Sequence, residues 1–219
     1  MDREFAEHLV DQLADGPQES FDSMENDGDT FIGHQLGLGV LPHRAKAFAA
    51  LDLGMKQFPN DLSLTLIKVD FLNSKQKFDE SFKQLESIDQ FYPNSVDVVL
   101  NLAKLYSITD QFHSAVIFLN KAYKLILSDS SYNEMLSDIA YEFLQIGQNR
   151  RAIVVMKKIL EIDPSNESTM MELGVAYHET GQFNEAINYF NEVIDKHPYS
   201  HLAWFNLGTI FNVNEEWND

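Results

Sequence analysis

Residues 167–200 read ESTMMELGVAYHETGQFNEAINYFNEVIDKHPYS, and residues 133–166 read NEMLSDIAYEFLQIGQNRRAIVVMKKILEIDPSN. Laid over each other without gaps, they place Leu173 over Ile139, Gly174 over Ala140 and Tyr177 over Phe143. The match continues with Gly181 over Gly147, Ala186 over Ala152, Phe190 over Met156 and Pro198 over Pro164. Self-similarity at a fixed period marks a repeat architecture. Met170, Leu173, Ala176 and Tyr177 recur at helical spacing, as do Ala186, Ile187, Phe190, Val193 and Ile194 after a break. Each unit therefore predicts two amphipathic helices joined by a tight turn. Small residues (Gly174, Ala186, Ala140, Ala152, Ala103 and Ala115) stand where paired helices must approach closely. Gly147 and Gly181 permit the positive φ of a helix C-cap, and Pro59, Pro93, Pro164 and Pro198 stop the second helices. One such hairpin cannot bury its apolar face alone, so units must stack.

The register extends both ways. Residues 201–219 restart it with Trp204, Leu207, Gly208 and Phe211, then end after Trp217. Upstream, 96–129 supply Leu102, Ala103, Tyr106, Phe112, Ala115, Leu119 and Ala122, and three extra residues, Ser130 to Tyr132, precede the next unit. Residues 62–95 keep Leu72, Phe78, Ser81, Leu85, Ile88 and Pro93 but put Lys68 and Val69 where the pattern has Leu-Gly. Residues 28–61 form a degenerate unit: Ala47, Leu51, Gly54 and Pro59 fit, while the glycine-rich TFIGHQLGLGVLP reads as a deformed first helix. The recurring pattern of a bulky residue, Leu-Gly, Tyr, Gly, Ala, an aromatic and Pro resembles the tetratricopeptide repeat. The resemblance implies an all-α fold, a right-handed superhelical α-solenoid of tandem helix-turn-helix repeats with a concave groove. The predicted organisation is an acidic N-terminal segment over 1–27, with a short helix over 3–14, followed by repeats over 28–61, 62–95, 96–132, 133–166, 167–200 and a half repeat over 201–219.

Composition narrows the function. Among 219 residues, 34 acids against 16 bases give a net charge of −18, which disfavours nucleic acid and anionic membranes as partners. Half of that charge lies in residues 1–30, which hold ten acids and one base, Arg3. The lack of cysteine excludes disulfides, thiolate metal sites and a thiol nucleophile. No apolar run reaches membrane-spanning length, and the charged N-terminus does not read as a signal peptide, so the expected location is cytoplasmic.

Catalytic and cofactor motifs are not expected. Gly33, Gly37 and Gly39 miss the spacing of nucleotide-binding loops. A calcium loop around Gly28 fails because Ser23 and His34 would occupy its key ligand positions. Asp195, His197 and His201 could gather at a repeat junction, but Pro198 breaks the helix that a shared histidine face needs. The expectation is no enzyme, no cofactor and no metal.

The family likeness implies a binding groove lined by the first helix of each unit. Carried over by register, it nominates Asp70, Asn73, Asn101 and Lys104. In the following units it nominates Glu134, Asp138 and Tyr141, then Met171, Glu172, Val175 and His178, with Phe205 and Asn206 from the last helix. Relatives that clamp a carboxylate place Lys and Arg at these positions; here Glu134, Asp138 and Glu172 put a clamp in doubt. An acidic lining with apolar side chains suits a neutral or basic peptide or helix with apolar anchors. The expected function is a non-enzymatic protein-interaction scaffold. Trp204, Phe205, Phe211 and Trp217 crowd the last nineteen residues, which favours two alternatives. One is a self-assembling module that pairs as a homo-oligomer through its terminal half repeat. The other is the regulatory arm of a longer protein.

Overall fold

The computed structural model describes the backbone of residues 43–216 and the side chains of residues 48–212. The expected N-terminal helix, the glycine-rich stretch and Trp217 lie outside those residues. Among the described residues the chain forms ten α-helices and no strand. They are α1 (His43–Gln57), α2 (Leu62–Ser74), α3 (Phe78–Asp89), α4 (Val96–Ile108), α5 (Phe112–Ser128), α6 (Leu136–Gln145), α7 (Asn149–Ile162), α8 (Glu167–Glu179), α9 (Phe183–Lys196) and α10 (His201–Glu216). A 3-10 helix, Ser130–Met135, separates α5 from α6. The fold class is all-α, built of tandem helical hairpins of the α-solenoid type, as the period predicts.

The chain divides into two compact units, Met1–Val98 and Val99–Asp219. In the first unit, the degenerate positions acquire a physical account. Lys68, where the pattern has leucine, pairs with Asp52 and lies 4.2 Å above the Phe48 ring, which itself stacks on Phe71 at 4.7 Å. The apolar stem of a lysine is thereby buried while its charge keeps a partner. Val69 replaces the small residue and is fully buried.

In the second unit the core is the stripe that the repeat pattern marks. Leu102, Ala103, Ala115 and Leu119 are buried, followed by Ile139, Ala140, Phe143, Ala152 and Met156, then Leu173, Ala176, Ala186, Phe190 and Val193. Helices α5 to α10 pack in sequence. Phe112 departs from expectation and is exposed. The three extra residues after α5 are absorbed by the 3-10 helix, capped by Asp129, whose carboxylate accepts from the Ser131 N–H at 3.0 Å. The helix following it, α6, is consequently short.

The turn inside each hairpin repeats the same backbone device whatever residue supplies it. The N–H groups of Lys77, Gln111, Gln148 and Gln182 donate to the carbonyls of Leu72, Tyr106, Phe143 and Tyr177 at 2.9, 2.9, 2.7 and 2.9 Å. The residue before each donor is left-handed: Gln76 (φ 58°), Asp110 (φ 60°), Gly147 (φ 69°) and Gly181 (φ 74°). These are Schellman caps, which satisfy the last carbonyls of the first helix. Glycine holds the position without strain in two units; glutamine and aspartate hold it against a Cβ penalty in the other two. A Cβ at Gly147 would meet no atom within 4 Å, so only backbone strain opposes one. Gly147→Ala is expected to cost about 1–2 kcal/mol, whereas Gln76→Gly should be neutral or stabilising by up to about 1 kcal/mol. Urea midpoints of the two variants check the opposite signs. Loss of stability in both would show that the turn is held by side chains instead.

Candidate peptide-binding surface

Apart from Glu134, the nominated residues Asn101 to Asn206 belong to the first helices of the second unit, and the register sorts most of them into two stripes. Asn101, Asp138, Glu172 and Asn206 occupy one equivalent position on α4, α6, α8 and α10. Lys104, Tyr141 and Val175 share a second. Beside them stand Met171 on α8 and its equivalent Phe205 on α10. Tyr141, Val175 and Phe205 are exposed at 57%, 39% and 70%, so these side chains do not serve the core. Helices of this kind present such residues because the opposite face, Leu173 and Ala176 on α8, is spent on packing.

The polar stripe is not a row of lone acids. Lys104 Nζ sits 2.9 Å from Asp138 Oδ2, an ion pair that joins α4 to α6. With both partners well exposed, it contributes little stability but neutralises the carboxylate. Glu172 accepts a long hydrogen bond, 3.4 Å, from Ser168 on its own helix. The Asn206 amide donates to the Leu202 carbonyl at 2.9 Å. His178 is half-buried, its ring 5.7 Å from Phe183. Glu134 lies in the 3-10 helix, ahead of α6 rather than on it, because the extra residues delay the start of that helix. Asp70 and Asn73 lie in the other unit, where the Asn73 Oδ1 atom is buried and unpartnered.

One charged residue of this region escapes the sequence pattern. Glu142 on α6 occupies the position that holds Leu105, Ala176 and Ile210 in neighbouring repeats, all of them buried. Burial raises its carboxyl pKa above the usual value, while a hydrogen bond from Ser107 and the charge of Lys104 pull the other way; Asp138 adds to the rise. Register alone was the available signal: a charged side chain at a position otherwise apolar. Lys104 therefore faces two carboxylates, and the α4–α6 junction carries a net negative charge.

The histidine cluster considered from sequence resolves differently. His197 Nε2 lies 2.8 Å from Glu167 Oε2, an interaction on the surface of the α8–α9 hairpin. Among the described residues no group of histidines and carboxylates is arranged to hold a metal ion. No helix there is long and apolar enough to cross a membrane.

Family models described as tetratricopeptide repeat match residues 96–129 and 143–207. The chain is a tetratricopeptide repeat protein. Its two matched spans contain Asn101, Lys104 and every nominated residue from Met171 to Asn206; Glu134, Asp138 and Tyr141 fall between them. No curated protein matches the sequence. Among solved structures, this tetratricopeptide repeat protein is similar to MamA, with a TM-score of 0.57 and 18% identity over 77% of this chain and 88% of that one. It is also similar to YrrB, described as a TPR protein with an unusual peptide-binding site, with a TM-score of 0.58 and 13% identity over 76% and 84%. A tetratricopeptide repeat protein from Parabacteroides merdae aligns with a TM-score of 0.59 and 15% identity over 95% and 73%. At these identities the likeness concerns the fold, which is that of protein-interaction scaffolds that are generally non-catalytic.

Proposed function

We propose that this tetratricopeptide repeat protein is a non-enzymatic cytoplasmic scaffold that holds an extended peptide or helix of a partner protein along its first helices. The observation that carries the reading is the pair of parallel stripes on α4, α6, α8 and α10. One is polar and acid-bearing (Asp138, Glu172), and the other runs from Lys104 on α4 to the exposed Tyr141 and Val175 on α6 and α8, with Phe205 of α10 alongside. Exposed aromatics beside acids favour a neutral or basic ligand with apolar anchors. Peptide binding by YrrB, a protein of the same fold, supports the mode. The test is selection from a displayed peptide library on the full chain. The selected peptides should be rich in Lys, Arg and apolar residues, and their affinity should fall at least about tenfold in Glu172→Lys and in Tyr141→Ala. Equal affinity in both variants would refute the reading.

A second reading, pairing of two copies through α10, is favoured by a specific comparison. Trp204, Gly208 and Phe211 are the register equivalents of Met170, Gly174 and Tyr177. Met170 and Tyr177 are 2% and 4% exposed, covered in their own repeat, whereas Trp204 and Phe211 are 54% and 52% exposed. The face of α10 that a second helix would cover is open in this structure.

A further inference from the structure

The charge of −18 conceals a basic surface among the described residues of the second unit. Helices α5 and α7, the second helices of neighbouring repeats, carry six bases (Lys121, Lys124, Arg150, Arg151, Lys157, Lys158) and a single acid, Glu161. Helical spacing turns Lys121 and Lys124 to the same solvent face as Ile117, opposite the buried Ala115, Leu119, Ala122 and Ile126. On α7 the corresponding face carries Arg150, Val154 and Lys158, opposite Ala152, Met156 and Ile159. Ile117 and Val154, and likewise Lys121 and Lys158, are equivalent in the repeat register. The two helices are neighbours, since α5 and α7 both pack against α6.

Part of this charge is already occupied. Lys157 lies 5.5 Å from the centroid of the Tyr177 ring, Lys158 pairs with Glu161 at 2.9 Å, and Arg151 bonds to Gln148. Lys121, Lys124 and Arg150 enter no ion pair among the described residues. Ile117 and Val154, at the centre, are exposed at 54% and 55%. The next second helix, α9, reverses sign with Glu185, Glu192 and Asp195 against Lys196, so the basic surface ends there.

We infer that the solvent faces of α5 and α7 form a second docking surface, for an acidic amphipathic segment of a partner protein. Its acids would meet Lys121, Lys124 and Arg150 while its aliphatic side chains cover Ile117 and Val154. Charge complementarity selects the partner's sign. The exposed branched aliphatics select a polypeptide over nucleic acid, for which a single-stranded ligand would need aromatic stacking platforms. They also select it over an anionic bilayer, which the rest of so acidic a chain disfavours. The surface is separate from the first-helix stripes, and the two readings stand or fall independently.

The test is fluorescence anisotropy of the full chain with a labelled peptide, EEIEELLEEIEELL, and with its all-glutamine counterpart. Binding of the glutamate peptide should weaken at least about tenfold in Lys121→Glu/Arg150→Glu and at least about threefold in Ile117→Ser/Val154→Ser. It should be unchanged in Tyr141→Ala/Phe205→Ala, with circular dichroism confirming that each variant is folded. Equal binding of the glutamine peptide, or no loss in the charge-reversed variant, overturns the proposal. So does binding to phosphatidylserine vesicles that the acidic peptide fails to displace.

Discussion

Phe190→Ala is expected to lower the unfolding free energy by about 3–5 kcal/mol, the largest effect of any single truncation considered for this chain. Phe190 is fully buried on α9, and its ring fills the space left by Gly174 on the facing helix α8. Removing the ring leaves a cavity that glycine cannot help to close, because no side chain stands opposite. Phe190→Leu, which keeps most of the volume, should cost less than about 1.5 kcal/mol. Urea unfolding followed by far-ultraviolet circular dichroism measures both. A cost below about 1 kcal/mol for the alanine variant would mean that α8 and α9 collapse together and that the packing of this hairpin is not specific.

The second large effect comes from the other side of the same contact. A Cβ built at Gly174 falls 2.4 Å from Cε1 and 2.7 Å from Cζ of Phe190, separations that real carbon atoms do not adopt. Helix propensity alone favours alanine over glycine by about 1 kcal/mol. The collision with a buried ring reverses that sign, and Gly174→Ala should destabilise by about 1–3 kcal/mol. Adding Phe190→Leu should recover part of the loss, giving a coupling of about 0.5–3 kcal/mol in a double-mutant cycle. Gly208 supplies the internal control. It is the register equivalent of Gly174, yet a Cβ there meets no atom within 4 Å. Gly208→Ala should therefore stabilise by about 0.5–1 kcal/mol if the α10 face is open in solution. If copies pair through that face, the same substitution will shift the mass measured by light scattering toward the monomer. A Gly174→Ala variant more stable than the parent chain would mean that the two helices are not in the contact described.

The repeat pattern exposed most of the architecture because the period repeats the physics. The positions of Gly174, Ala186, Phe190 and Pro198 each answer to one packing or capping demand, and the same demands recur along the chain. What the pattern could not show is how departures from it are accommodated. Gln76 and Asp110 adopt the left-handed turn that the sequence assigns only to Gly147 and Gly181, since the cap hydrogen bonds hold that geometry whatever the side chain. The delay of α6 by a 3-10 helix moved Glu134 off the helical surface, because an insertion shows its length in sequence but not its path. Of the candidate site, the exposed Tyr141 and Val175, with Phe205 beside them, were readable as the part of each helix face left after core packing. The Lys104–Asp138 pair was not, since contacts between residues thirty-four apart depend on how one hairpin leans on the next. Glu142 was hidden for a related reason: the hydrogen bond from Ser107 and the charge of Lys104 reach it from α4, not from its own helix. The basic faces of α5 and α7 were masked by an average taken over the whole chain.

Because Lys104 already sits on Asp138, an incoming cationic side chain at that point would trade places with a tethered ammonium group and not with sodium from the bulk. Such an exchange releases fewer small ions than binding at an unpaired carboxylate, so added salt should weaken attraction less at this locus than at Glu172. Selectivity at the α4–α6 junction would then be set by geometry, in favour of whichever cation bridges Asp138 and Glu142 better than the one already in place.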